Sequence, residues 1–155
     1  MKQIAIGTPE WCSLINEIME VFNPGELISH EWLKSRFGFE KLEISDFDST
    51  EDFICTFQNL QFAYMGAVDA LRWQLLEERK VYLKNIRGDG YTLLPAKDQV
   101  KYGYDEFLKT VKSAIRQADL IMNNVLPVSF EQQARDNNLR ARYSMLKQML
   151  TCIKR

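Results

Sequence analysis

Residues 71–93, LRWQLLEERKVYLKNIRGDGYTL, decide the fold. Leu71 and Leu75 continue a helical spacing that runs to about Glu78. Residues 81–86 are rich in β-forming side chains, the glycine turn at 87–90 follows, and a second β run occupies 91–94. Two short β runs joined by a glycine-containing turn predict a β-hairpin directly after the helix.

Upstream, cap residues and glycines mark two helices. Thr8 can accept a hydrogen bond at the helix start and Pro9 suits the first helical position, which predicts a helix over 9–22 that Asn23-Pro24-Gly25 ends. A short extended piece over 26–28 precedes a second helix, capped by Ser29 and ended by Gly38. The acidic stretch 40–48 is predicted to be a loop.

A long helix is predicted from Ser49, whose spacing from Asp52 resembles a capping box, to about Glu78. Gly66 marks a possible break or bend within it. The residues expected on its core face share helical spacing and are Phe53, Phe57, Leu60, Tyr64, Val68, Leu71 and Leu75.

Beyond Pro95 the spacing of apolar residues is helical again, and Pro127 breaks it. Ser129 and Gln132 form a capping box for a last helix that reaches Ile153. The sequence therefore predicts a mainly α (α+β) chain with two parts, a domain over 1–95 and a C-terminal helical hairpin over 96–155.

The composition excludes several classes of protein. The chain has 155 residues, 46% of them hydrophobic, and contains no apolar stretch of the roughly 20 residues that a membrane helix needs. The N-terminus lacks the apolar core of a secretory signal, so a cytoplasmic protein without membrane contact is expected. Three scattered cysteines and one histidine favour neither a disulfide framework nor a zinc site.

The charge is divided unevenly along the chain. Residues 1–78 hold fourteen acidic and five basic side chains, a net charge of −9, whereas residues 79–155 hold seven acidic and fifteen basic ones, a net charge of +8. Such a division indicates either an acidic partner for the second half, such as a nucleic acid, or attraction between the two halves of one or two chains.

The order helix, strand, helix, helix, strand, wing, strand resembles a winged helix-turn-helix domain. Within it, residues 71–93 resemble the end of the recognition helix and the wing of the OmpR/PhoB-type effector domain, which has a Leu-Arg-x-x-Leu helix end and an Arg-Gly-x-Gly-Tyr turn. The helical tail after the wing also resembles small phage- or plasmid-encoded proteins. The C-terminal helices, the acidic loop and the lack of a receiver domain depart from the OmpR/PhoB pattern.

The resemblance implies a non-enzymatic DNA-binding protein, a regulator or accessory factor, with a helix near 61–77 in the major groove of duplex DNA and a basic hairpin on the backbone. Lys80, Lys84 and Arg87 are the candidate phosphate contacts. The weaker candidates for base contact are Arg72, Gln58 and Gln61. If the helix does not read DNA, Arg135, Arg140 and Arg142 of the last helix are further candidates.

An alternative is a protein-interaction module, such as a phage-encoded protein that binds a host protein. The face expected to point away from the core carries Phe62, Asp69 and Trp73, which is too apolar and acidic for ordinary base readout. Phe62, Met65, Trp73 and Leu76 could instead lie beneath the C-terminal helices or in a subunit interface. Met145 and Met149 favour a homodimer seam on the last helix, or an adaptable groove for a partner.

Catalysis and cofactor binding are not expected. His30 has no nucleophile or acid near it in a catalytic pattern. The acidic loop lacks the spacing of a calcium site, and the glycines form no phosphate-binding loop. The sequence therefore predicts no catalytic residue, no metal ligand and no cofactor.

Overall fold

The computed structural model describes residues 3–39 and 41–152. The chain is mainly helical with one small antiparallel sheet, which confirms the mainly α (α+β) class. Two compact units divide at Gln99 and Val100. In chain order the elements are α1 (Pro9–Val21), β1 (Leu27–Ser29), α2 (His30–Phe37), a 3-10 turn (Ile44–Asp46), α3 (Thr50–Arg79), β2 (Leu83–Ile86), β3 (Gly90–Leu93), α4 (Ala96–Asn123) and α5 (Phe130–Cys152).

The predicted caps of α1 and α2 are confirmed. The Thr8 hydroxyl accepts a hydrogen bond from the Trp11 amide at 3.4 Å, and Ser29 accepts one from the Trp32 amide at 3.1 Å. Gly38 ends α2 in the left-handed conformation, with φ of 78°. Short-range side-chain chemistry therefore defines both helix starts and one helix end.

Helix α3 is uninterrupted from Thr50 to Arg79, with no break at Gly66. Ser49 caps it by accepting a hydrogen bond from the Asp52 amide at 3.1 Å. Lys80 ends it in the left-handed conformation, with φ of 59°, and its amide donates to the Leu75 carbonyl.

Only the C-terminal part of α3 lies on the core. Tyr64, Val68, Leu71 and Leu75 are buried as predicted, but Phe57 is 46% exposed. The prediction that the core face includes Phe53, Phe57 and Leu60 is therefore wrong, because none of the three is buried in the core. The reason is that a helix of 30 residues is about 45 Å long, which exceeds what one small core can cover.

Strand β3 lies at the centre of the sheet, between β1 and β2, and pairs antiparallel with both. The hairpin of β2 and β3 confirms the sequence prediction. Gly90 begins β3 with φ of +153°, and a Cβ atom there would lie 2.1 Å from the Ile28 carbonyl oxygen of β1. The turn glycine thus permits the close approach of β1 to β3.

The core of the first unit joins α1, α2, the C-terminal part of α3 and the sheet. Trp11 stacks on Phe37 with ring centroids 5.6 Å apart, and its indole N–H donates to the Gln74 side chain at 2.6 Å. The buried hydrophobic residues in this cluster are Trp11, Leu14, Ile15, Ile18, Ile28, Leu33, Phe37, Tyr64, Val68, Leu71, Leu75, Leu83, Tyr91 and Leu93.

The second unit is a pair of helices with no buried residue in α4 or in the described α5. The Ser129 hydroxyl accepts from the Gln132 amide at 3.4 Å, whereas the Gln132 side chain donates to Asp136 at 2.8 Å instead of completing a capping box. The predicted helix end at Ile153 lies outside the described residues. Over 3–39 and 41–152, no helix has the length and apolar character needed to cross a membrane.

Candidate functional site

The outward face of α3, defined by Phe62, Met65, Asp69 and Trp73, lies opposite the buried residues of that helix. Phe62 is 67% exposed, Met65 49% and Trp73 62%. Large apolar side chains that remain this exposed in one stripe are typical of an interaction surface. Phe62 and Trp73, for which burial was one expectation from the sequence, are therefore exposed.

Arg72 occupies the flank of this face and is held by the fold. Its Nε donates to the Leu83 carbonyl of β2 at 3.2 Å, and its guanidinium lies 2.7 Å from Asp69. These contacts connect α3 to the hairpin and balance the charge of Asp69. A base contact by Arg72 would require exchange of at least one of these bonds.

The two glutamines of α3 lie in different surroundings. Gln58 is exposed, and Gln61 is half-buried in a cleft between α2 and α3. Because they are three residues apart, they point in directions about 60° apart around the helix axis. Gln58 is therefore the glutamine available at the surface.

The basic residues of the hairpin region lie at its two ends and along β2. Lys80 is exposed at the end of α3, and its ammonium donates to the Glu77 carbonyl at 2.6 Å. Lys84 lies on β2 opposite Thr92, and Arg87 is exposed in the turn. Asp89 shares that turn and offsets part of its positive charge.

The cleft between α2 and α3 has a volume of about 660 Å³. Phe39, Leu42, Phe57 and Leu60 supply apolar walls, and Tyr64 lies at its buried side. Its polar lining residues are Glu31, Lys34, Ser35, Lys41 and Gln61. The sequence does not indicate this cleft, because the cleft depends on how α2 and α3 come together with Phe39, Lys41 and Leu42.

Tyr64 connects the cleft to the core. Its hydroxyl lies 2.9 Å from His30 Nδ1, and the Lys34 ammonium lies 5.2 Å from its ring centroid. Burial, and then the neighbouring Tyr91, raise the pKa of Tyr64 far above its ordinary value. Tyr64 therefore stays neutral at physiological pH, and His30 serves as its hydrogen-bond partner.

A polar contact at Asp119 connects α4 and α5 in the second unit. Lys147 donates to the Asp119 carboxylate at 2.7 Å, and the Tyr143 hydroxyl lies 2.8 Å from it. Arg140, a candidate for DNA contact, donates to the Met122 carbonyl at 2.8 Å. Arg135 and Arg142 are exposed, as are Met145 and Met149.

The division of charge follows the two units. The first, to Gln99, holds sixteen acidic and ten basic residues, a net charge of −6, and the second holds five acidic and ten basic residues, a net charge of +5. Within 3–39 and 41–152, no three side chains among His, Cys, Asp and Glu are grouped as metal ligands. The three cysteines are exposed free thiols.

Comparison of the chain with protein-family models, with curated proteins and with solved structures finds no match.

Proposed function

We propose that the first unit is a winged helix-turn-helix domain that binds duplex DNA without catalysing a reaction, as a regulator or accessory factor. The observation that carries this proposal is the hairpin of β2 and β3, which follows α3 directly and is bound to it through Arg72 and Leu83. The order α1, β1, α2, α3, β2, β3 is that of the winged helix. In this proposal the outward face of α3 meets a groove, and the hairpin meets the backbone.

Lys80, Lys84 and Arg87 are the proposed phosphate contacts. Each contact that displaces a counterion makes the slope of log affinity against log salt more negative by about 0.9. Three contacts therefore weaken binding roughly 40-fold between about 50 mM and 200 mM salt. Fluorescence anisotropy with a labelled random-sequence duplex measures this dependence.

Arg87→Ala tests the hairpin contact because Arg87 is exposed in the turn. The variant is expected to lower affinity for all sequences and to reduce the salt slope by about 1. Lys101→Ala removes an exposed positive charge from the second unit and is the matched control. An unchanged slope in Arg87→Ala, or an equal loss in Lys101→Ala, would contradict the hairpin assignment.

The exposed stripe on α3 favours a second candidate, a winged-helix scaffold that binds a protein. Phe62, Met65 and Trp73 present an apolar face, and Asp69 is the acidic residue between them. Aromatic residues at the centre of a surface are the common anchors of protein interfaces. Trp73→Ala is then expected to abolish partner capture, with Leu120→Ala of α4 as an exposed apolar control. Capture retained by Trp73→Ala would count against this candidate.

We further propose that the chain is a homodimer through α4 and α5. Two helices of 28 and 23 residues without a buried residue cannot form a core alone, whereas two such pairs form a four-helix bundle. The exposed apolar residues that would meet include Leu139, Met145, Leu146 and Met149.

Light scattering measures the mass of the particle, which is expected to be twice 18.2 kDa. The double variant Met145→Glu and Met149→Glu places charges in the seam and is expected to yield monomers. Gln148→Glu, at an exposed position of the same helix, is the control. A monomeric wild-type protein would contradict the dimer.

A further inference from the structure

We propose that the cleft between α2 and α3 binds a small organic anion with a flat apolar body, such as an aromatic carboxylate. The cleft is formed within the first unit and does not depend on DNA binding. Its volume of about 660 Å³ lies in the range of small-molecule sites.

The walls favour a flat apolar body. Phe39, Leu42, Phe57 and Leu60 line the cleft, and Phe57 is 46% exposed although it is a large aromatic residue. A ligand ring that packs against Phe57 would remove apolar surface of both the ring and Phe57 from water. The exposure of Phe57 in a concave site is thus explained by a ligand that covers it.

The charges favour an anion. Among the described lining residues, Lys34 and Lys41 are basic and Glu31 is acidic, so these side chains carry a net positive charge on a unit whose net charge is −6. The Lys34 ammonium is positioned beside the Tyr64 ring, 5.2 Å from the centroid. Gln61 adds an amide that can donate a hydrogen bond to a carboxylate.

Ligand binding would also fix the position of one part of α3 relative to α2. The lining residues Phe57, Leu60 and Gln61 belong to the part of α3 that precedes its buried segment, and Lys34 and Ser35 of α2 line the same cleft. A ligand that contacts both sides would fix residues 57–61 relative to α2. The outward residues Gln58 and Phe62 lie on the same turns of the helix.

The experiment is a titration of the intact, isotope-labelled protein with 2-naphthoate, followed by amide NMR spectra. We expect saturable shifts of amides within 34–42 and 57–64. The neutral isostere 2-naphthamide is expected to bind at least about tenfold more weakly because it lacks the charge-assisted bond. Shifts confined to α4 and α5, or equal binding of the amide, would overturn the proposal.

Variants test the two ammonium groups. Lys41→Gln, at an exposed position, is expected to weaken 2-naphthoate binding several-fold, and the double variant with Lys34→Gln at least about tenfold. Lys112→Gln, an exposed lysine of α4, is the control and should bind as the wild type does. If Lys41→Gln and the double variant both bind like the control, the anion site is wrong, whatever the outcome with DNA.

Discussion

The two units of the chain differ in how many side chains they bury. The first gathers fourteen buried side chains from three helices and a sheet, whereas the second has none in α4 or in the described α5. Because burial supplies most of the free energy of folding, the first unit contains its own source of stability. The second unit would therefore gain more stability than the first from burying its apolar side chains against a partner.

The largest expected effect is in the first core. Leu71→Ala removes a fully buried side chain and should lower the free energy of unfolding by about 3 kcal/mol. Leu120→Ala, at a position 60% exposed in α4, should change it by less than about 0.5 kcal/mol. Denaturation followed by circular dichroism reports both units, and tryptophan fluorescence reports the first unit alone because Trp11, Trp32 and Trp73 all lie in it. Similar losses of unfolding free energy in both variants would contradict this difference between the two units.

The next largest effect is a difference in stability between alanine substitutions at two glycines of the first unit. Gly90→Ala places a Cβ atom against the Ile28 carbonyl, and we expect a loss of about 2 kcal/mol or more in stability. Gly66→Ala lies within α3, where no heavy atom would be within 4 Å of the new Cβ atom. It should stabilise the protein by about 1 kcal/mol through helix propensity. Thermal unfolding measures both changes, and a tolerated Gly90→Ala would contradict the close approach of β1 to β3.

Local features of the fold could be predicted from the sequence, whereas features that depend on distant elements could not. The caps at Thr8, Ser29 and Ser49 and the glycine turn depend on neighbours within a few residues, so the helix starts and the hairpin follow from the sequence. The exposure of Phe57 and the cleft beside it depend on which distant elements cover α3. Helical spacing identifies a face but does not say how much of its length is covered.

The smallest effect concerns the polar contact of the second unit. The hydrogen bonds from Lys147 and then Tyr143 lower the pKa of Asp119 below its ordinary value. A depressed pKa contributes stability above the unfolded-state value near 3.9, and this contribution is lost as the pH falls through the folded-state value. Asp119→Asn should therefore lower the helical signal of the second unit on heating at pH 7, with the difference disappearing in acid.

Circular dichroism across the pH range checks this prediction. Glu106→Gln is the matched control, because Glu106 pairs with Lys109 three residues away in the same helix and does not connect α4 to α5. An Asp119→Asn variant that melts like the wild type at pH 7 would show that the contact does not hold the two helices together.

We propose that the first unit binds duplex DNA through its hairpin and the outward face of α3. The most direct test is an amide NMR titration of the intact protein with a short duplex at low salt. We expect the largest shifts at 80–91 and along the outward face of α3, from Gln58 to Trp73, and we expect them to diminish as salt is added. Absent shifts, or shifts confined to α4 and α5, would contradict it.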